Sequence, residues 1–171
     1  LKTIQEAVAQ ASTGSTILVC PGIYSKTVNI TGPEKSGLKL ISLGRQDEVV
    51  LQGDYTERDG FHLENVDNVL VRGFTVRDFG KQPTTESAWG DGNNIYLANA
   101  QYATIENNRV YHNSGAGISA HVGSTVQGNV VYSNATGIEG NGRVQTSSPF
   151  RPLSERPCSS NTSTLRPSAL L

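Results

Sequence analysis

The chain has no methionine, not even at position 1, and only one tryptophan and two cysteines in 171 residues. The missing initiator sets the expectation of a fragment whose start was removed by processing or truncation, and any signal peptide would have gone with it. Charge is sparse: 17% of residues are charged and the formal net charge is -1. That balance excludes an electrostatic case for nucleic acid or for an anionic membrane surface. No apolar run approaches the roughly 18 residues of a membrane span. Cys20 and Cys158 lie far apart in unlike contexts, so two unrelated thiols are expected, with a disulfide as the alternative.

Helical signal is confined to the first residues. Thr3-Ile4-Gln5-Glu6 reads as a capping box. Ile4, Ala7, Val8 and Ala11 then follow at i, i+3, i+4 and i+7, the apolar stripe of a short helix that Gly14 ends. Next come Thr16-Ile17-Leu18-Val19-Cys20, a strand, and Pro21-Gly22, a turn. Beyond them, short β-type runs alternate with turns rich in Gly, Asn and Asp, and glycine reaches 18 residues.

The passage from the helix through Gly14-Ser15-Thr16-Ile17-Leu18-Val19-Cys20-Pro21-Gly22-Ile23-Tyr24 resembles the opening of pectate-lyase-like β-helix proteins. In these a short helix caps the first coil; Ser15 stands where the pattern usually has Asp. The cap has a physical reason, since a solenoid's first coil otherwise exposes its apolar interior and its strand edges.

The middle of the chain repeats itself. Ile105 and Val126, Asn108 and Asn129, Val110 and Val131, and Asn113 and Asn134 are each 21 residues apart. One coil of a parallel β-helix takes about that length, and successive coils stack about 4.8 Å apart. Val71/Ile105/Val126 and Val76/Val110/Val131 therefore become aliphatic columns. Asn108/Asn129 and Asn113/Asn134 become asparagine ladders, starting one coil after Phe74 and Phe79. A β-sandwich or jelly roll also has many short strands, but nothing in it requires a fixed period with columns of like residues. The expected fold is all-β: a right-handed parallel β-helix, or solenoid, with a short N-terminal capping helix.

Residues 1–142 are read as this domain, with the capping helix in 1–14, about four to five coils, and one inserted loop over 80–92. The loop is inferred from Phe61 and Ile95, which stand 34 residues apart, roughly 13 more than one coil. It is either a wall of a substrate groove or a tolerated surface insertion. Residues 143–171, rich in Ser, Pro, Thr and Arg, are read as a disordered or non-native tail.

Strand alternation places His62/Tyr96/Ser119/Glu139 and Glu64/Ala98/His121 on one outer face, bordered by Trp89 and Asp91 of the inserted loop. Arg72 and Glu106 face outward elsewhere as an ion pair. The first face carries the groups needed for β-elimination or C5-epimerisation of a uronic acid: a base, an acid and something to neutralise the carboxylate. His62 or His121 is the candidate base, Tyr96 the acid, and Asp91 an orienting group or calcium ligand. Trp89, Glu64 and Glu139 are candidate substrate contacts. Asp91-Gly92-Asn93-Asn94 is compatible with calcium, but it reads first as a turn, so no metal ligand is assigned. The tight acidic clusters of mannuronan epimerases and polygalacturonases are missing from the sequence. The resemblance implies a secreted, extracellular or periplasmic, carbohydrate-active protein acting on or binding an acidic polysaccharide, in the manner of a lyase or C5-epimerase. The alternative is a non-catalytic surface, adhesin-like or periplasmic binding scaffold. A monomer is expected in either case.

Overall fold

The computed structural model describes residues 2–81 and 92–145, together with the backbone of 163–166. Each coil contributes one strand to each of three sheets. The first coil is β1 (Thr16–Val19), β2 (Gly22–Tyr24) and β3 (Val28–Thr31); the second is β4 (Lys39–Ser42), β5 (Val49–Gln52) and β6 (Phe61–Glu64). The third is β7 (Leu70–Arg72), β8 (Thr75–Arg77) and β9 (Asn93–Ala98), and the fourth β10 (Thr104–Glu106), β11 (Arg109–Tyr111) and β12 (Ala116–Ala120). The fifth is β13 (Thr125–Gln127), β14 (Val130–Tyr132) and β15 (Thr136–Gly140), and β16 (Arg143–Gln145) continues beyond it.

Every pairing between successive coils is parallel and in the register that the repeat implies. Val71 pairs with Ile105 and Ile105 with Val126, and Val110 pairs with both Val76 and Val131. Phe61 pairs with Ile95, Ile95 with Ile118, and Ile118 with Ile138. The columns pack into one continuous core, in which Ile17, Leu40, Val71 and Ile105 are fully buried. Burying such a side chain is worth about 1.5–3 kcal/mol. Burial fades in the last coils, where Val144 is 57% exposed.

The bends are held by the asparagine ladders. Asn108 Nδ2 and its backbone N–H both donate to Asn129 Oδ1, at 3.1 and 2.9 Å. Asn113 does the same to Asn134 Oδ1, at 2.8 and 3.2 Å. One coil earlier Phe74 and Phe79 fill these positions, and their backbone N–H groups donate to Asn108 Oδ1 and Asn113 Oδ1, each at 3.0 Å. The outward ion pair forms as well, Arg72 Nε lying 3.5 Å from Glu106 Oε1.

The N-terminal end is covered in three ways. Helix α1 (Ile4–Gln10) carries the expected capping box and buries Ile4, Ala7 and Val8. The Gln5 amide pairs with the open edge of β3, accepting from Asn29 N–H at 2.8 Å and donating to Asn29 O at 3.2 Å. Strand β17 (Ser163–Arg166) runs antiparallel along β1. Two features depart from the sequence reading of the C-terminal segment: β16 extends the stack past residue 142, and β17 is a strand. The expectation for the cysteines is corrected too, since Cys20 is disulfide-bonded rather than a free thiol. The chain's other cysteine is Cys158, which lies outside the described residues.

Candidate functional site

The connections from β5, β8, β11 and β14 to the sheet built by β6, β9, β12 and β15 differ sharply in length. They span 53–60, 78–92, 112–115 and 133–135. The two long ones are consecutive, and both flank the strands that carry His62 and Tyr96. The first rests on Asp54, whose carboxylate accepts from Thr56 N–H at 3.0 Å. Tyr55 reaches across two coils to donate to His112 O at 3.0 Å. Burial and the Asp78 carboxylate push its phenol above the ordinary tyrosine value.

The described ends of the second connection are pinned tightly. Gly80 N–H donates to Glu57 O at 3.0 Å, and Ser114 Oγ donates to Lys81 O at 2.8 Å. At the return, a Cβ on Gly92 would lie 2.0 Å from Arg58 O, and one on Gly115 would lie 1.5 Å from Gly92 O. Backbone approaches this close admit only glycine.

Within this frame, Asp59 is buried beside His62. One carboxylate oxygen, Oδ1, accepts from Asn93 N–H at 2.8 Å, and the other, Oδ2, lies 2.8 Å from His62 Nδ1. A buried carboxylate is tolerable only when its oxygens are so engaged. As an acceptor-only group, it takes its hydrogen bond from an Nδ1–H, and Nε2 is the other ring nitrogen. Nε2 faces outward, 3.8 Å from Glu64 Oε2. The Tyr96 ring meets the imidazole edge-on at 5.2 Å between centroids, and the Arg58 guanidinium lies 5.9 Å from the Tyr96 centroid.

His62, Tyr96 and Glu64 are thus brought together as the alternation implied, His62 pairing with Tyr96 and Glu64 with Ala98 in register. His121 follows the end of β12, two coils or roughly 10 Å further along the stack. Its Nδ1 is buried and has no hydrogen-bond partner among the described residues. Glu139 is a coil further still, on β15. Trp89 and Asp91 lie outside the described residues. Ser119 occupies the His62 column but two coils away, too far to complete a nucleophilic triad with Asp59 and His62. Among the described residues there is no group of three or more His, Cys, Asp or Glu arranged to hold a metal ion, and no helix long and apolar enough to cross a membrane.

Sequence reasoning missed Asp59 and Arg58. Their only signal was proximity, Arg58-Asp59 preceding Phe61-His62 in a loop that departs from the repeat.

Three stacked parallel sheets and asparagine ladders define a β-helix protein, with a polar cluster of Asp59, His62, Glu64 and Tyr96 on one face. The right-handed β-helix family model matches residues 25–148, and the chain belongs to that family. No curated protein and no solved structure matches the chain.

Proposed function

We propose that this is a secreted, carbohydrate-active β-helix protein that removes the C5 proton of a uronate in an acidic polysaccharide. The observation that carries the reading is the buried Asp59 carboxylate holding His62 Nδ1 at 2.8 Å, which leaves Nε2 on the side of Glu64. In the reaction the C5–H bond breaks and His62 Nε2 takes the proton. For a lyase, the electron pair forms the C4–C5 double bond, the C4–O bond breaks, and Tyr96 Oη protonates the leaving oxygen. For an epimerase, C5 is instead reprotonated from the opposite face by water, because Tyr96 lies against His62 on the same side. Arg58 supplies positive charge for the sugar carboxylate, whose enolate-like form carries the developing charge. Glu64 beside Nε2 contacts sugar hydroxyls. The disulfide at Cys20 supports an extracellular or periplasmic location, because such bonds persist in oxidising compartments.

The test is incubation with pectate, alginate and glycosaminoglycans, with and without calcium, reading both the ultraviolet absorbance of an unsaturated uronate and the C5 configuration by NMR. Product that disappears in His62→Ala is expected. Binding without product from folded protein would instead assign the non-catalytic scaffold role.

A further inference from the structure

The sheet adjoining the His62 face carries an aromatic and cationic cluster that this chemistry does not use. Tyr111 on β11 and Tyr132 on β14 pair in register and stack, with centroids 5.0 Å apart and planes 8° from parallel. Arg109 lies over both rings, 5.2 Å from the Tyr111 centroid and 5.5 Å from that of Tyr132. Its Nη2 and Nε donate to Tyr132 Oη at 2.7 and 3.1 Å. The exposed His112 ring meets Tyr111 edge-on at 4.9 Å and Tyr132 at 6.5 Å.

A stacked tyrosine pair on a sheet has an ordinary structural value of about 0.2–1 kcal/mol. Three observations go beyond that. On β14, the last strand of its sheet among the described residues, Tyr132 is 38% and Val130 51% exposed. The ring is held by Arg109 and not by the core, which fixes it in advance of any ligand. Among the described residues no carboxylate pairs with Arg109, in contrast to Arg77 one coil earlier, which lies 3.0 Å from Asp78 Oδ2. The cluster therefore combines a preset aromatic surface, a guanidinium with no carboxylate partner among the described residues and an exposed imidazole.

We propose that Arg109, Tyr111, His112 and Tyr132 form a second saccharide-binding site for acidic polysaccharide, separate from the His62 site. The C–H face of a pyranose packs on Tyr132, while the guanidinium N–H groups not committed to Tyr132 Oη bind the uronate carboxylate. The inference takes from the proposed function only the class of ligand, an acidic glycan, and none of its chemistry. Such a site would hold a long polymer to the protein while another stretch occupies the His62 site.

Binding of polygalacturonate and of alginate is measured by calorimetry in His62→Ala protein, which removes turnover, with neutral dextran as the control. Arg109→Gln and Tyr132→Ala are each expected to weaken binding roughly tenfold, the scale of losing one charge-assisted or cation–π contact. Arg109→Gln is a solvent-side change that leaves the core columns intact, and it decides the matter if Tyr132→Ala misfolds. Unchanged affinity in Arg109→Gln, equal affinity for dextran, or no binding of either acidic polymer overturns the proposal. Failure of the His62 chemistry is read separately: binding that depends on Arg109 in a protein showing no C5 chemistry leaves this site standing and removes only the catalytic reading.

Discussion

Asp59 Oδ2 stands 2.8 Å from His62 Nδ1, and its carboxylate is held from the other side by Asn93 N–H of the next coil. The imidazole is therefore oriented by a group anchored in the solenoid. Asp59 is a positioning residue that acts through His62. Replacing it with Asn keeps the shape but no longer dictates which ring nitrogen carries the proton. Asp59→Asn is expected to lower kcat by about 10²–10⁴-fold with little change in KM. The double variant with His62→Ala should be no slower than His62→Ala alone, because the two act as a unit. Steady-state kinetics on the active polymer reads this directly; a change confined to KM would contradict it.

The ladder at Asn108 makes a second prediction. Its side chain serves Phe74 N–H, Val71 O and Asn129 at once, within the buried core. Asn108→Ala leaves that donor and that acceptor unpaired, at an expected cost of about 2–4 kcal/mol. Asn134→Ala, in the last full coil and less buried, should cost about 1 kcal/mol. Urea unfolding midpoints distinguish the two, and equal losses would refute the ladder's graded role.

The contrast between these sites shows what a sequence can disclose. Asn108 and Asn129 were legible because stacking places chemically like residues one period apart, and the same holds for Val71, Ile105 and Val126. The pairing of His62 with Tyr96 followed from strand alternation once Phe61 and Ile95 were aligned. Asp59 was not legible, since it lies in a connection whose length varies from coil to coil and belongs to no column. The contact of Gly115 with Gly92 was hidden similarly, because a close backbone approach leaves only a glycine among 18. The pairing of β17 with β1 joins distant parts of the chain, where no repeat can announce it.

Reduction tests the disulfide at Cys20. A disulfide restrains the unfolded chain most when it closes a long loop, and its loss is expected to cost about 2–4 kcal/mol. Thermal unfolding with and without dithiothreitol should show a lower Tm in the reduced protein, matched by Cys20→Ser in either condition. Identical melting curves would show that the bond contributes nothing.

Asp54 gives the loop before Asp59 a pH dependence. Hydrogen bonds from the Thr56 hydroxyl, then from its backbone N–H, hold the Asp54 carboxyl below its ordinary value of 3.8, with Glu57 and Lys26 adding to the effect. A depressed carboxyl stabilises the fold above its unfolded value, and that contribution fades as the pH falls through the lowered one. Thr56 amide exchange, compared with that of a distant core amide, should therefore lose protection selectively below about 3.8. Asp54→Ala should remove this selectivity; a profile that persists in the variant would exclude Asp54 as its origin.

The most direct test of the central claim is deuterium incorporation at C5 of uronate residues in D2O, because elimination and epimerisation share that proton abstraction. With pectate or alginate oligomers, the wild-type protein is expected to exchange C5 or to form product there. His62→Ala, verified as folded by circular dichroism, should do neither. Exchange that proceeds undiminished in His62→Ala, or no C5 chemistry on any uronate from folded wild-type protein, would contradict the account.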